Sequence, residues 1–423
     1  MNVADSELVA GILVREGWGQ ARSMDEADVI LFNTCTVRQH AEDRVLGRIT
    51  SEARRKHAKP HLKIGILGCV AQRLGNSLLT DYPMIDLVVG TDQYLQLPRM
   101  LSMLDNWGAR DSVETNPKQL YFDAHPLRQG RHSGFVTIMR GCDNYCSYCI
   151  VPHVRGHERS RITEDILMEV HHAGKGGFKD ITLLGQNVNS YSYDGVGFPE
   201  LLVRVNKVPT IRRVRFITSH PKDLSDVLIG AMAELDKVCE HIHLPMQAGD
   251  DTILQRMNRG YTSGHYLGLV EKLRAAAPGI AVTSDIMCGF PGETEEQFQR
   301  TFDLMEQIRF DYAYTFKYSP REGTAAADMS DQVPEEVRLE RLNRLIDLQS
   351  RITTEVYREQ IGTVKEVFVE QTSKKSDEEL SGRSRDSKIV VFPGHAGRIS
   401  DFVKVRITEA SGWTLRGEAL DNE

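Results

Sequence analysis

The absences in this 423-residue chain narrow it before its motifs do. No apolar run approaches the ~18 residues that a membrane-spanning helix needs. No basic region followed by an apolar core marks a signal peptide, because Met1 leads into a polar amphipathic stretch. Cysteine is scarce: seven residues, an odd number, do not make a disulfide scaffold, and a reducing, cytoplasmic setting is expected. An excess of positive charge is lacking too. The 52 Lys and Arg against 59 Asp and Glu give a net charge of −7, which argues against a whole-surface nucleic-acid binder and leaves room for a local basic patch. Repeats and low-complexity tracts are missing. With 40% hydrophobic residues the chain can bury real cores, and its length suggests two to four domains.

The expected fold is α/β throughout the first two domains. In the first, apolar positions at helical spacing mark a helix over 4–16, and β-rich runs at 28–34, 64–68 and 86–90 alternate with helices. That predicts a small parallel sheet covered on both faces, with Cys35 and Cys69 at carboxyl ends of strands, where such sheets place their sites. The opening helix has no strand before it, so the first strand of the expected sheet is missing. Residues 105–132 read as a polar linker. Six further strands follow at 135–140, 180–184, 213–218, 240–244, 280–286 and 311–317, separated by helices. They predict a partial (β/α)6 barrel whose strands end in polar residues. From about 360, short β-rich runs at 363–370, 388–392, 402–408 and 412–417 predict a small antiparallel β-barrel. The expected domains are 1–115, 130–357 and 360–423.

Chemistry concentrates in Cys142-x₃-Cys146-x₂-Cys149. Thiolates bind soft metals and iron–sulfur clusters. Three cysteines on one loop can hold a four-iron cluster and leave one iron open for chemistry. The bland alternative is a zinc site completed by His153 or His157, although no fourth ligand lies at ordinary finger spacing. Cys239 and Cys288 fit no ligand pattern and are expected to be buried and free. Gly185, Gln186 and Asn187 end the second barrel strand, Gln247 follows the fourth and Asp285 ends the fifth. Their side chains can hydrogen-bond a ligand, and the glycine permits close backbone approach; equally, some of them only tie loops together. Basic candidates for RNA contact are the run 48–63, then Arg155, Arg159 and Arg161, then Arg383, Arg385 and Lys388. For each, a solvated face or a local ion pair is the competing explanation.

The cysteine spacing resembles that of the radical S-adenosylmethionine (SAM) superfamily. Longer stretches, MRGCDNYCSYCIVPHVRGHERSR (139–161), LLGQNVNSY (183–191), TSHP (218–221), HLPMQAGDDTILQRMNRGYT (243–262) and SDIMCGFPGET (284–294), look like the methylthiotransferases. GQNVNSY is similar to the branch that acts on isopentenyl-adenosine in tRNA. The resemblance runs over almost the whole chain. It implies a methylthiotransferase domain, a radical SAM barrel and a C-terminal TRAM domain. It further implies that Cys142, Cys146 and Cys149 hold a 4Fe-4S cluster whose open iron chelates SAM, with Tyr148 near the adenine. One-electron cleavage of SAM would then give a 5′-deoxyadenosyl radical that takes hydrogen from the substrate.

A second 4Fe-4S cluster is implied on three N-terminal cysteines, of which Cys35 (NTCTVR) and Cys69 (LGCVAQ) match two; the third would lie two residues before Met1. Gly185, Gln186, Asn187, Gln247 and Asp285 are the SAM contacts expected beside Tyr148. The expected activity is conversion of isopentenyl-adenosine next to the tRNA anticodon to its 2-methylthio derivative, with one SAM as methyl donor and one as radical source. Hydrogen abstraction needs no general base, and none is nominated. The implied partners are a tRNA anticodon stem-loop, an electron donor and a sulfur or cluster-repair donor; no membrane is involved, and the chain is expected to act as a monomer. Two alternatives stay open: the same chemistry on threonylcarbamoyl-adenosine or a ribosomal-protein aspartate, and a non-catalytic iron–sulfur RNA-binding protein.

Overall fold

The computed structural model describes residues 1–35, 39–121, 124–128 and 133–420. Contacts divide the chain into two units. One comprises Met1–Gln129, Met139–Tyr145 and Cys149–Arg161; the other comprises Gly130–Ile138, Cys146–Tyr148 and Ile162–Glu423.

In the first unit, β1 (Val29–Thr34), β2 (Lys63–Gly68), β3 (Leu87–Val89) and β4 (Arg110–Ser112) form one parallel sheet in that order. The alternation of side chains explains the apolar runs. Leu67, Leu87 and Val89 face a core with Leu8 and Ile12 of the first helix (Asn2–Arg15) and with Tyr94, Leu97 and Leu101. Ile64, Ile66 and Val88 face the opposite core, with Ile49 and Val70. A strand covered on both sides has no polar face to alternate with. Helix Leu97–Trp107 and β4 begin within or just before the segment expected to be a linker. Residues Met139–Arg140 pair antiparallel with Arg159–Ser160 in this unit.

The second unit holds six parallel strands, β5 (Ser133–Thr137), β6 (Asp180–Leu184), β7 (Arg213–Ile217), β8 (His241–His243), β9 (Ala281–Cys288) and β10 (Tyr312–Lys317). They pair as β7-β6-β5 and β8-β9-β10, and an isolated parallel bridge joins Val214 of β7 to Val238, three residues before β8. Strands β5 and β10 are the free edges, as a partial barrel requires. Helices such as Thr163–Lys175, Ser263–Ala276 and Glu295–Ile308 separate the strands.

Helix Glu335–Arg358 leads into a closed five-stranded barrel. Its strands are β11 (Val364–Ser373), β12 (Ser376–Ser384), β13 (Ile389–Pro393), β14 (Phe402–Ser411) and β15 (Thr414–Ala419). Val367, Val369, Leu380, Val390, Phe392, Val403, Val405 and Leu415 fill it. The sequence predicts four of these strands and misses β12. That strand reads SDEELSGRS and buries Leu380, Gly382 and Ser384, only one of which is large and apolar. Of the other cysteines, Cys239 and Cys288 are buried free thiols.

Candidate functional site

In the first unit, Cys35 follows β1 and Cys69 follows β2, so both stand at the carboxyl edge of the sheet. Cys69 is buried, and Arg155 Nε donates a hydrogen bond to its sulfur at 3.3 Å. Burial pushes the Cys69 thiol up, and the Arg155 charge pulls it back in part. Arg155 is itself buried and donates to Asp5 Oδ2 at 2.8 Å, while Arg140 donates to Asp5 Oδ1 at 2.8 Å. Burial alone would raise the Asp5 carboxyl, but Arg140 and Arg155 hold it below its ordinary value.

Two guanidinium groups thus share one carboxylate, and one of them, Arg155, also reaches the Cys69 sulfur. Nη1 of Arg140, Nη1 of Arg155 and the Tyr94 hydroxyl are buried without a hydrogen-bond partner. Buried donors left open cost about 1–3 kcal/mol each and call for an explanation. A cysteine-ligated anionic cluster supplies one, so the residues present fit such a group.

The 142–149 loop is shaped by two sets of ties. In the first unit, Gly141 sits at φ +80°, where a Cβ would collide with the His157 carbonyl oxygen. Cys142 N–H donates to the Gly156 carbonyl at 3.2 Å, and Asn144 Nδ2 donates to Cys142 Sγ at 3.4 Å. His157, a candidate fourth zinc ligand, is exposed and bound to Asp143 at 2.7 Å. Among the described residues no three Cys, His, Asp or Glu side chains gather closely enough for a single metal ion. A cubane cluster spreads its ligands, because each thiolate binds its own iron.

In the second unit, Ser147 is pinned by its N–H to Met257 O at 3.0 Å and by its hydroxyl to Arg256 O at 2.8 Å. Arg259 is buried and donates through Nη1 to Cys146 Sγ at 3.4 Å and to the Tyr148 hydroxyl at 3.5 Å. Its Nη2 donates to Pro245 O at 2.9 Å. Burial alone would lower this guanidinium. Tyr148, Tyr261 and the Cys146 thiol outweigh that and keep it charged.

Polar groups collect at the carboxyl ends of the barrel strands. Gly185 is buried after β6. Asn187 is buried and donates through Nδ2 to Asp223 at 2.7 Å. Gln247 holds a φ of +68°, its N–H donating to Asp285 O and its carbonyl accepting from Met287. Asp285 lies 3.5 Å from His243 Nε2. Beside these, Gln186 Oε1, Asn187 Oδ1, Ser219 Oγ and His220 Nε2 are buried with no partner. His220 accepts the Lys222 N–H at Nδ1, at 3.2 Å, so its ring proton sits on the open Nε2. Burial, then the charges of Arg259 and Lys222, push His220 down to about 2, and it stays neutral. This unspent set of donors and acceptors suits a polar ligand such as SAM.

The basic candidates require correction. Arg155 is the internal partner of Asp5 and Cys69, so it is not presented to RNA. Arg159 forms a two-pronged pair with Asp92 at 3.0 and 3.1 Å, and Arg161 is buried. Lys388 is buried between Asp311 and Asp386, at 2.5 and 3.0 Å. Arg385 pairs with Glu240 and with Val238 O. The charges of Arg155, Arg159, Arg385 and Lys388 are taken up by neighbours that sequence spacing does not reveal. Only Arg383 among the six keeps a substantially exposed side chain, 3.4 Å from Glu370. In the run 48–63, Arg55, Lys56 and Lys59 pair with acidic neighbours.

Sequence reasoning did not single out Asp5, Arg140, Arg259 or His220 as site residues. Asp5 had no signal, since its partners stand 135 and 150 residues away. Arg259 and His220 fall inside the quoted motifs, which was the available signal.

Comparison with known proteins adds the following. Residues 136–305 match the Radical SAM superfamily, residues 358–420 the TRAM domain and residues 1–90 the "Uncharacterized protein family UPF0004". The chain is 46% identical over 432 residues to the tRNA-2-methylthio-N(6)-dimethylallyladenosine synthase of Thermoanaerobacter sp. (strain X514), covering 100% of this chain and 91% of that one. It is likewise 46% identical over 431 residues to the protein of that name from Porphyromonas gingivalis (strain ATCC BAA-308 / W83), covering 100% and 93%. Among solved structures, the radical SAM methyltransferase TsrM from Kitasatospora setae superposes with a TM-score of 0.60 at 13% identity, over 86% of this chain and 76% of that one. The cobalamin-dependent radical enzyme OxsB superposes with a TM-score of 0.53 at 13% identity, over 82% and 53%. At such identities these two speak for the fold alone.

Proposed function

Because this chain belongs to the family of tRNA-2-methylthio-N(6)-dimethylallyladenosine synthases of the radical SAM superfamily, we propose that it adds a methylthio group to carbon 2 of isopentenyl-adenosine in tRNA. The observation that carries this reading is full-length identity, at 46%, to proteins of one name. Cys142, Cys146 and Cys149 would hold the catalytic four-iron cluster, and Cys35 with Cys69 would hold an auxiliary one. When bound, the cluster and SAM together supply a one-electron cleavage that opens an unactivated C–H bond.

The chain's own residues do the rest. Arg259 orients Cys146 and Tyr148 and places a fixed positive charge beside the anionic group. Gln186, Asn187, Ser219 and His220 offer open hydrogen-bonding atoms at the strand ends, and Gln247 and Asp285 complete that rim. Asp5 fixes Arg155 against Cys69. No residue is needed to remove a proton from carbon 2, since hydrogen leaves as an atom. A tRNA substrate, an external reductant and a sulfur source belong to the same reading. So does a cytoplasmic setting, which goes with a tRNA substrate. The working boundaries are 1–115 for the auxiliary-cluster domain, 130–357 for the barrel and 360–423 for the TRAM barrel.

Nucleoside mass spectrometry after anaerobic reaction with SAM, a reductant and isopentenylated tRNA tests the proposal. A methylthio mass gain on the prenylated adenosine supports it. No gain, but formation of 5′-deoxyadenosine, would keep the radical enzyme and move the substrate to threonylcarbamoyl-adenosine or a ribosomal-protein aspartate. Cys142→Ala should abolish 5′-deoxyadenosine, whereas Cys69→Ala should spare it and stop methylthio transfer. Normal methylthio product from Cys69→Ala would remove the auxiliary role.

A further inference from the structure

Large aromatic side chains are normally withdrawn from water, so rings held in order and half exposed need a reason. Trp413 is 50% exposed and Tyr314 is 46% exposed. Tyr312 lies between them, its ring centroid 4.7 Å from Trp413 and 4.7 Å from Tyr314. Tyr314 in turn meets the His243 ring at 6.2 Å. The row therefore runs from the tip of one element to the interior face of another, all within the second unit.

Its two ends are placed by local sequence. Trp413 sits with Gly412 in the two-residue turn between β14 and β15, and Gly412 at φ +57° takes the turn position that favours glycine. A tryptophan at a hairpin tip contributes nothing to the core of its own barrel. Tyr312 and Tyr314 lie on β10, a free edge of the partial barrel. In the parallel register they stand beside Thr283 and Asp285 of β9, and Thr283 stands beside His243 of β8. The intervening residues Val282, Ser284 and Ala313 are buried on the opposite, helix-covered face. So the aromatic row shares its face with Asp285 and His243 at the candidate site. The hairpin that bears Trp413 also carries Lys404 and Arg406, both exposed and in no ion pair among the described residues.

We propose that Trp413 and Tyr314, bridged by Tyr312, form a stacking platform for unpaired nucleobases of the tRNA loop. The inference rests on the tRNA substrate of the proposed function and says where the loop is gripped. Flat π-faces accept any base, polar side chains on the same face can meet base edges, and exposed cations on the same hairpin can meet phosphate. A protein partner is less suited, because a face lined by His243 and Asp285 lacks the apolar centre of a protein interface.

The test is affinity of the cluster-loaded full chain for an isopentenylated anticodon stem-loop across a salt series. Trp413→Ala and Tyr314→Ala should each weaken binding by about 5- to 100-fold, the loss of one stacked base. Trp413→Phe and Tyr314→Phe should recover most of it. The slope of log K against log salt should be unchanged in all four, since no phosphate contact is removed. Binding of the alanine variants at wild-type strength would overturn the platform, and so would a reduced salt slope. Sedimentation showing that the wild type self-associates and Trp413→Ala does not would overturn it as well. If the wild type binds the stem-loop no better than a plain RNA duplex, the proposed function fails first. If the wild type binds and the alanine variants bind equally, only the platform fails.

Discussion

Lys388 and Arg155 are both buried cations held by a buried aspartate, yet their surroundings are finished to different degrees. Around Lys388, two carboxylates, Asp311 and Asp386, meet two ammonium groups, since Lys365 also binds Asp386 at 2.8 Å. Neighbouring Arg215 places Nε on Asp180, Nη1 on Arg385 O and Ser387, and Nη2 on Ser384 O. Among the atoms of that network only one acceptor, Asp180 Oδ1, is buried without a partner, and every cationic donor named is used. Around Asp5, two guanidinium groups share one carboxylate, one of them also reaches a cysteine sulfur, and both keep an open Nη1. A closed network joins parts of a fold. One left open in a buried place has donors to spare for a further acceptor.

The largest effect that separates them is on stability. Asp5→Leu leaves two buried guanidinium groups facing each other, and breaking a buried pair this way costs about 3–5 kcal/mol. Lys388→Met leaves Asp386 with Lys365 and Ser384, so its cost should be smaller. Urea denaturation of the two variants checks the order, and equal losses would erase the distinction. Asp5 is also depressed by its partners, so its contribution is present above the ordinary carboxylate range and is lost as pH falls through the folded value.

Arg155→Met sharpens the same comparison with little demand on the fold. It removes an N–H···S bond and a positive charge from Cys69. A hydrogen bond to a charged group is worth about 1.5–3 kcal/mol. If part of that differs between oxidation states, the auxiliary potential should fall by on the order of 50 mV. Redox titration followed by electron paramagnetic resonance reads it, and Arg155→Lys should restore part of the shift. Arg259→Lys should act on the barrel cluster instead. An unchanged potential in Arg155→Met would leave the arginine a purely structural role.

These networks also mark what the sequence could and could not tell. The six barrel strands were legible because buried parallel strands read as short apolar runs between helices with clear apolar spacing. Strand β12 was not, since Leu380 is its single large apolar anchor. The cysteine loop was legible because its three cysteines lie within eight residues of one another. The roles of Arg155, Arg159, Arg161, Arg385 and Lys388 were not. A sequence displays their charge and hides what surrounds it: for Arg155, Arg159, Arg385 and Lys388 a carboxylate from another element, and for Arg161 its burial.

Acid probes the open polar atoms at the barrel's strand ends. His220 is held at about 2 in the folded chain against an ordinary 6.5. The unfolded chain takes up a proton below about 6.5 and the folded chain does not, so stability is full above that pH. It then falls by about 1.4 kcal/mol per pH unit on this account as acid is added. Glu293, pushed up to about 7 by burial, acts oppositely between its unfolded 4.5 and that value. His220→Asn should therefore flatten the loss between pH 6.5 and 4.5, or reverse it. An unaltered pH profile would mean that the ring is wetter than its burial implies.

The smallest effect falls on Arg383, the one of the six singly named basic candidates left with a substantially exposed side chain. Its pair with Glu370 is at the surface, where ion pairs are worth about 0–1 kcal/mol, so Arg383→Ala should leave unfolding almost unchanged. Arg385→Ala should not be so mild, because Glu240 loses three hydrogen bonds to that guanidinium. If Arg383 meets phosphate, its loss should weaken tRNA binding uniformly across sequences and reduce the log–log salt slope by about 1. That signature is opposite to the one expected for Trp413, whose loss should weaken binding and leave the slope alone. A full salt slope in Arg383→Ala would withdraw the last of the six basic candidates and move the search for phosphate contacts to Lys404 and Arg406.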